Sequence, residues 1–289
     1  MIKKTSYKQW RRVIAILLLI GMTSGCAVKL VYNQLDWLIP WYLSDYLDMN
    51  GEQDAFFDKR LQRYLVWHRK SQLPEYAALL RSVADDVNDG LNEQEIRRFQ
   101  GETERLAGVL MERLAPDVVA VFADASDEQL TQLYDALDKD GERYRKRYVK
   151  QTLQQQQEDQ VEDVIETIER WTGSLNNEQE HLVSQWGEQY QPMGDELYQA
   201  GLKWRAEFKQ TLEGREESAL YSPRLTSLLT TPDFGWSDAF QVKMLENKQS
   251  LSRLYFALDK TFSKKQRKRI VNTLRDYAED FEQLAKEEE

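Results

Sequence analysis

The chain has 289 residues, with 39 Lys and Arg against 49 Asp and Glu, a net charge of −10 and a single cysteine. That balance disfavours nucleic acid or anionic head groups as general partners, and one cysteine excludes an internal disulfide and a multi-cysteine metal site. The length suits one or two domains with a substantial core.

Residues 1–12 carry Lys3, Lys4, Lys8, Arg11 and Arg12 and no acid. An apolar run from Val13 to Met22 follows, then Thr23-Ser24-Gly25 and Cys26. This is the charged, apolar, small-residue order of a secretory signal. The apolar run is shorter than the roughly 20 residues that a membrane span needs. A cysteine directly after small residues resembles a lipobox, with Thr23 where leucine is usual. The resemblance implies removal of residues 1–25, lipidation of Cys26 and a membrane anchor in the envelope of a double-membrane bacterium. Ala27, not Asp, follows the cysteine, which leans toward the outer membrane, facing the periplasm. Loss of residues 1–25 removes five bases and no acid and moves the net charge from −10 to −15.

Next comes an aromatic stretch from Tyr32 to Leu47, holding Tyr32, Trp37, Trp41, Tyr42 and Tyr46. Two readings stand. Trp and Tyr favour a membrane interface, but Asp36, Asp45 and Asp48 oppose it, and Lys29 is the nearest base. A helix pair packed under the bundle, burying these rings, is the commoner arrangement. Either way the recognisable chain resumes six residues past Cys26, so the folded body is expected close to the membrane.

Leu73-Pro74 suits a helix start. His68 and His181 are the only histidines and lack metal-binding spacing, so a structural role is expected for His68.

Apolar residues then recur at three- and four-residue steps, the mark of one helix face. Five capping-box patterns mark helix starts: Asn50/Gln53, Asn92/Glu95, Ser126/Gln129, Asn176/Gln179 and Ser263/Gln266. Helix ends are expected at Asp89-Gly90, Ala115-Pro116, Thr172-Gly173 and Glu213-Gly214, with a break or kink at Pro192. Ser126 to Thr172 reads as one helix of roughly 70 Å, with a solvated or projecting segment at Gln154–Gln160. Residues 215–238, with Pro223, Pro232 and Gly235, read as a long connection with at most a short helix, and 239–289 as a C-terminal helical hairpin. The fold expected is all-α: an elongated helical bundle with one or more long helices behind a signal peptide. Within it, residues 26–115 hold aromatic-rich helices and 116–214 the long ones.

The residues Tyr32-Asn33-Gln34-Leu35-Asp36-Trp37, Asp45-Tyr46-Leu47, Trp67-His68-Arg69 and Leu73-Pro74-Glu75-Tyr76 resemble an uncharacterised family of helical bacterial lipoproteins, a domain of unknown function. The likeness is strongest over residues 26–80 and implies a lipobox and a helical periplasmic body. Leu175–Gln179 and Phe262–Gln266 are similar to the helix-start motif of Spy-type periplasmic chaperones.

Two basic clusters interrupt the acidic background: Arg143, Arg145, Lys146, Arg147 and Lys150, and Lys264, Lys265, Arg267, Lys268 and Arg269. They read as docking sites for an acidic partner or lipid phosphates, or as solvated helix faces. The second sits in a helix's first turn, where basic charge opposes the macrodipole. No glycine-rich phosphate loop, Gly-x-Ser-x-Gly elbow or metal-ligand spacing occurs. The chain is therefore expected to be non-enzymatic, without cofactor or metal. The function expected is that of a membrane-anchored interaction or scaffold protein with an envelope protein partner; the alternative is a holdase-like periplasmic chaperone or envelope-stress protein.

Overall fold

The computed structural model describes residues 26–216 and 218–287. The expected signal peptide, residues 1–25, lies outside them. The described residues are all-α, without a strand. In chain order the helices are α1 (Cys26–Tyr32), α2 (Leu35–Leu43), α3 (Gly51–Trp67), α4 (Leu73–Asp89), α5 (Glu93–Ala123) and α6 (Asp127–Tyr144). There follow α7 (Leu153–Thr172), α8 (Asn177–Gln189), α9 (Gly194–Glu213), α10 (Ser218–Thr230), α11 (Asp238–Thr261) and α12 (Lys264–Lys286). None of them is long and apolar enough to cross a membrane.

All five capping boxes form. Each satisfies two backbone donors that a bare helix end leaves unpaired. Four of them also pair across helices. Gln179 and Gln266 exchange amide hydrogen bonds of 3.2 and 2.9 Å. Gln179 also donates to the Thr261 carbonyl, and Gln266 to the Ser174 carbonyl. Gln53 and Gln129 do the same at 3.1 and 2.7 Å, adding the Asp124 and Asp48 carbonyls. A glutamine that caps its own helix thus also fixes the start of another. The Gln179–Gln266 pair is buried, where an amide left unpaired costs about 1–3 kcal/mol.

Helix ends at Asp89, Thr172 and Glu213 fall where expected. Gly90 and Gly173 have φ of 95° and 81°, a conformation that favours glycine. Pro192 lies in the break between α8 and α9.

Four expectations are corrected. Helix α5 does not stop at Pro116 but runs 31 residues to Ala123, about 46 Å. The carbonyl that Pro116 leaves free belongs to Glu112, and both residues are exposed to water. Buried Ala115 and Val119 hold the helix on course. The single helix over 126–172 is two: α6 widens into a π-turn at Arg145–Val149, and Thr152 caps a fresh start with Gln155. The Gln-rich segment is largely solvated, as expected, but does not project. Gln157 donates to the Tyr190 carbonyl at 3.1 Å, and the Val161 side chain fills the space beside Gly187, so α7 lies tight on α8. Residues 215–238 hold a 13-residue helix, α10, with Tyr221, Leu225 and Leu228 buried one turn apart. Leu73-Pro74 opens α4 as expected, but α4 continues from α3 through a second π-turn, His68–Gln72.

The core comes in linked clusters. Phe208, Leu212, Tyr221 and Leu225 close α5, α6, α9 and α10. Ile168, Val183, Trp186 and Leu258 close α7, α8 and α11. Ala84, Val87, Ile270 and Leu274 join α4 to α12. Tyr32, Leu73 and Leu284 seat α1 on α4 and α12. The two C-terminal helices follow one another through a sharp turn at Phe262-Ser263, but α12 lies along α4, and α11 along α8 and α5.

Candidate functional site

The N-terminal end of the chain is anchored in detail. Six residues after Cys26, Tyr32 is buried. Its ring stacks on His68, with centroids 5.7 Å apart, and its hydroxyl meets His68 Nδ1 at 2.9 Å. The Arg69 guanidinium lies 5.0 Å from the Tyr32 ring centre and donates to Asn33 Oδ1, the Leu284 carbonyl and Glu287. Lys29 pairs with Asp280 at 3.2 Å. Helix α1 is therefore part of the body rather than a spacer.

His68 is the hub of this end. Tyr76 approaches its Nε2 at 3.4 Å, and Tyr64 and Trp67 flank the ring. Burial pushes its pKa below the usual 6.5. Burial pushes Tyr32 and Tyr64 up to about 12, so both phenols keep their protons. A lowered histidine pKa means that the folded state resists protonation. Stability from His68 is complete above the unfolded value of about 6.5 and declines as pH falls from there to the lowered folded value. The denaturant midpoint is expected to drop over that window in the parent and to flatten in His68→Gln. A parent-like drop in His68→Gln would place the titration elsewhere. The structural role expected for His68 fits these contacts.

Helix α2 differs from every other described helix longer than α1 in having no buried residue. It packs along α3. Trp37 is 51% exposed and stacks on Trp41, with centroids 6.0 Å apart. Tyr42 is 57% exposed, and Leu30 of α1 is 68% exposed. The expectation that these rings pack under the bundle holds for Tyr32 and partly for Tyr46, and fails for Trp37 and Tyr42. Tyr46 packs against the α6 cluster and donates to Asp140 at 2.6 Å. That hydrogen bond, ahead of burial, raises its pKa.

The two basic clusters fare differently. Arg143 pairs with Asp140, and Arg145 with Glu142 at 3.0 Å. Arg147 lies over the Tyr148 ring. Lys146 and Lys150 are exposed and form no ion pair among the described residues. In the second cluster, Arg267 turns inward. Its guanidinium binds Asp259 Oδ1 at 2.8 Å, the Asp259 carbonyl at 2.7 Å and the Val87 carbonyl. Asp259, whose side chain is 4% exposed, also accepts from the Leu91 N–H. Arg267 is thus a tie between α4, α11 and α12, and the docking role expected for it is corrected on that ground. Lys264, Lys265, Lys268 and Arg269 stay exposed.

An open groove of about 520 Å³ lies between α7, α8, α9 and α11, lined by Gln157, Tyr190, Pro192, Glu196 and Lys243 among others. Lys243 holds the Pro192 carbonyl and Glu196, and Gln157 the Tyr190 carbonyl. No group of three or more metal-ligand side chains occurs among the described residues.

Residues 45–241, about two thirds of the chain, match a family model described as a family of unknown function (DUF6279). The chain belongs to this family. No curated protein and no solved structure matches it. The DUF6279 span covers α3 to α10, with His68 and the first basic cluster. It leaves out Cys26, α1, α2 and the second cluster. The likeness read as strongest over residues 26–80 therefore corresponds to the family only from Asp45 onward. The DUF6279 description names no activity.

Proposed function

We propose that the chain is a bacterial envelope protein, lipid-anchored at Cys26 in the outer membrane and facing the periplasm. It acts non-enzymatically, as an interaction or scaffold protein for another envelope protein. The observation that carries this reading is the seating of α1. Tyr32, six residues past Cys26, is already buried against His68, Leu73 and Leu284. A lipid on Cys26 would hold the helical body against the bilayer, with no slack between anchor and fold. The signal-like order of residues 1–25 supports the same reading. The polar groups named in the groove are already engaged within the chain, which suits a binding body better than a reaction chamber.

Cys26→Ala is expected to move the protein out of membranes washed in high salt, which releases contacts held by charge and leaves a lipid anchor in place. In-cell crosslinking of the parent, read by mass spectrometry, is expected to capture one defined envelope protein. An unchanged distribution of Cys26→Ala would refute the anchor, and capture of no defined partner the scaffold role.

A further inference from the structure

The sequence LDWLIPWYL of α2 has one charged residue, Asp36, and no fully buried side chain; Leu35 packs on the α1–α4–α12 cluster, while Trp37 and Tyr42 stay exposed. Asp36 is spent on its own helix, accepting from the Trp37 N–H at 2.9 Å. An exposed apolar patch of this kind marks an interaction site. Trp and Tyr are the side chains that settle at the headgroup level of a bilayer, with the ring in the apolar region and the polar atom in water.

A helix lying in that interface normally carries bases on its polar side, and α2 has none. The fold supplies them from α6. The Tyr42 hydroxyl meets that of Tyr46 at 3.2 Å, Tyr46 donates to Asp140, and Asp140 pairs with Arg143. From Arg143 to Gln157 the chain holds five bases and no acid, although its net charge is −10. Arg143 is 68% exposed along its side chain. Lys146 and Arg147 in the π-turn, and Lys150 just beyond it, are all exposed.

We propose that Trp37, Trp41 and Tyr42 and this basic stripe form one surface that docks on the anionic headgroups of a phospholipid bilayer. The rings enter the interface beside it, and Arg143, Lys146, Arg147 and Lys150 meet the lipid phosphates. The proposal rests on the tethered reading above, which brings α2 to the membrane. It adds that the body itself recognises the lipid.

The core clusters, with the side chains packed against them, lie within residues 28–285, so the test uses the chain from residue 26 with Cys26→Ser, which has no anchor. It is sedimented with vesicles of phosphatidylcholine alone or with phosphatidylglycerol added. Binding is expected to the anionic vesicles, weakening as salt rises. Lys146→Glu/Arg147→Glu/Lys150→Glu is expected to reduce it by roughly a hundredfold, and Trp37→Ala/Trp41→Ala to reduce it as well. The basic variant should keep the parent's unfolding midpoint, because its three bases form no ion pair among the described residues; the unfolding midpoint of the aromatic variant is measured alongside, and binding is compared where both proteins are folded. Equal binding to both vesicle types, no binding, or undiminished binding by both variants would overturn the proposal. Since Cys26 is absent, failure here leaves the anchor untouched, and the anchor is judged separately from the state of Cys26.

Discussion

Arg267→Ala is expected to lower the stability of the fold by about 3–5 kcal/mol. The guanidinium is the partner of a carboxylate with almost no contact with water, and it also holds two main-chain carbonyls. Its removal strands the Asp259 charge in the core, where water cannot compensate it. The neighbouring bases provide the control. Lys264→Ala and Lys265→Ala touch only solvated side chains and should shift stability by no more than about 0.5 kcal/mol. Removing both charges of the buried pair, with Asp259→Asn and Arg267→Met, should recover part of the loss, because the stranded charge goes with them. Urea unfolding of the four proteins decides it. If Arg267→Ala behaves like Lys264→Ala, the buried tie is absent.

Tyr32→Ala is expected to free α1 from the body. The loss of a buried aromatic side chain typically costs about 3–5 kcal/mol, here concentrated where α1 meets Leu73 and Leu284. His68 loses its stacked ring and one hydrogen bond, and Arg69 loses the ring beneath it. The readout is therefore local. Limited proteolysis of the native variant should cut rapidly between residues 26 and 46, while the parent resists. Tyr32→Phe, which keeps the ring and drops the hydroxyl, should lie near the parent. Rapid cutting of the parent itself would mean that α1 is a free linker and that the body is not held at the membrane.

Much of the fold was legible because it is written locally. The five capping boxes needed only an Asn or Ser three residues before Gln or Glu, and all five open helices. A sixth, Thr152/Gln155, stood at the head of the glutamine run, where the eye takes the run for a solvated stretch. Pro116 and Pro223 misled for a physical reason. Local rules penalise proline inside a helix, but each sits on an exposed side while its neighbours pack. Ala115 and Val119 in one case, Tyr221 and Leu225 in the other, outweigh the missing hydrogen bond. The apolar spacing of Tyr221, Leu225 and Leu228 was the available signal for α10.

The candidate site was legible only in pieces. Aromatic and basic residues were conspicuous, but their joining through Tyr46, Asp140 and Arg143 spans almost a hundred residues of sequence. Nor could composition separate Arg267 from Lys265 or Lys268. The distinction is made by Asp259, brought beside it by the turn between α11 and α12.

The intact mass of the protein extracted from cell membranes tests the central claim most directly. A lipid-tethered chain will show the mass of residues 26–289 plus the lipid, with the added mass mapped to Cys26. A chain that retains residues 1–25, or that carries an unmodified thiol at Cys26, would contradict it.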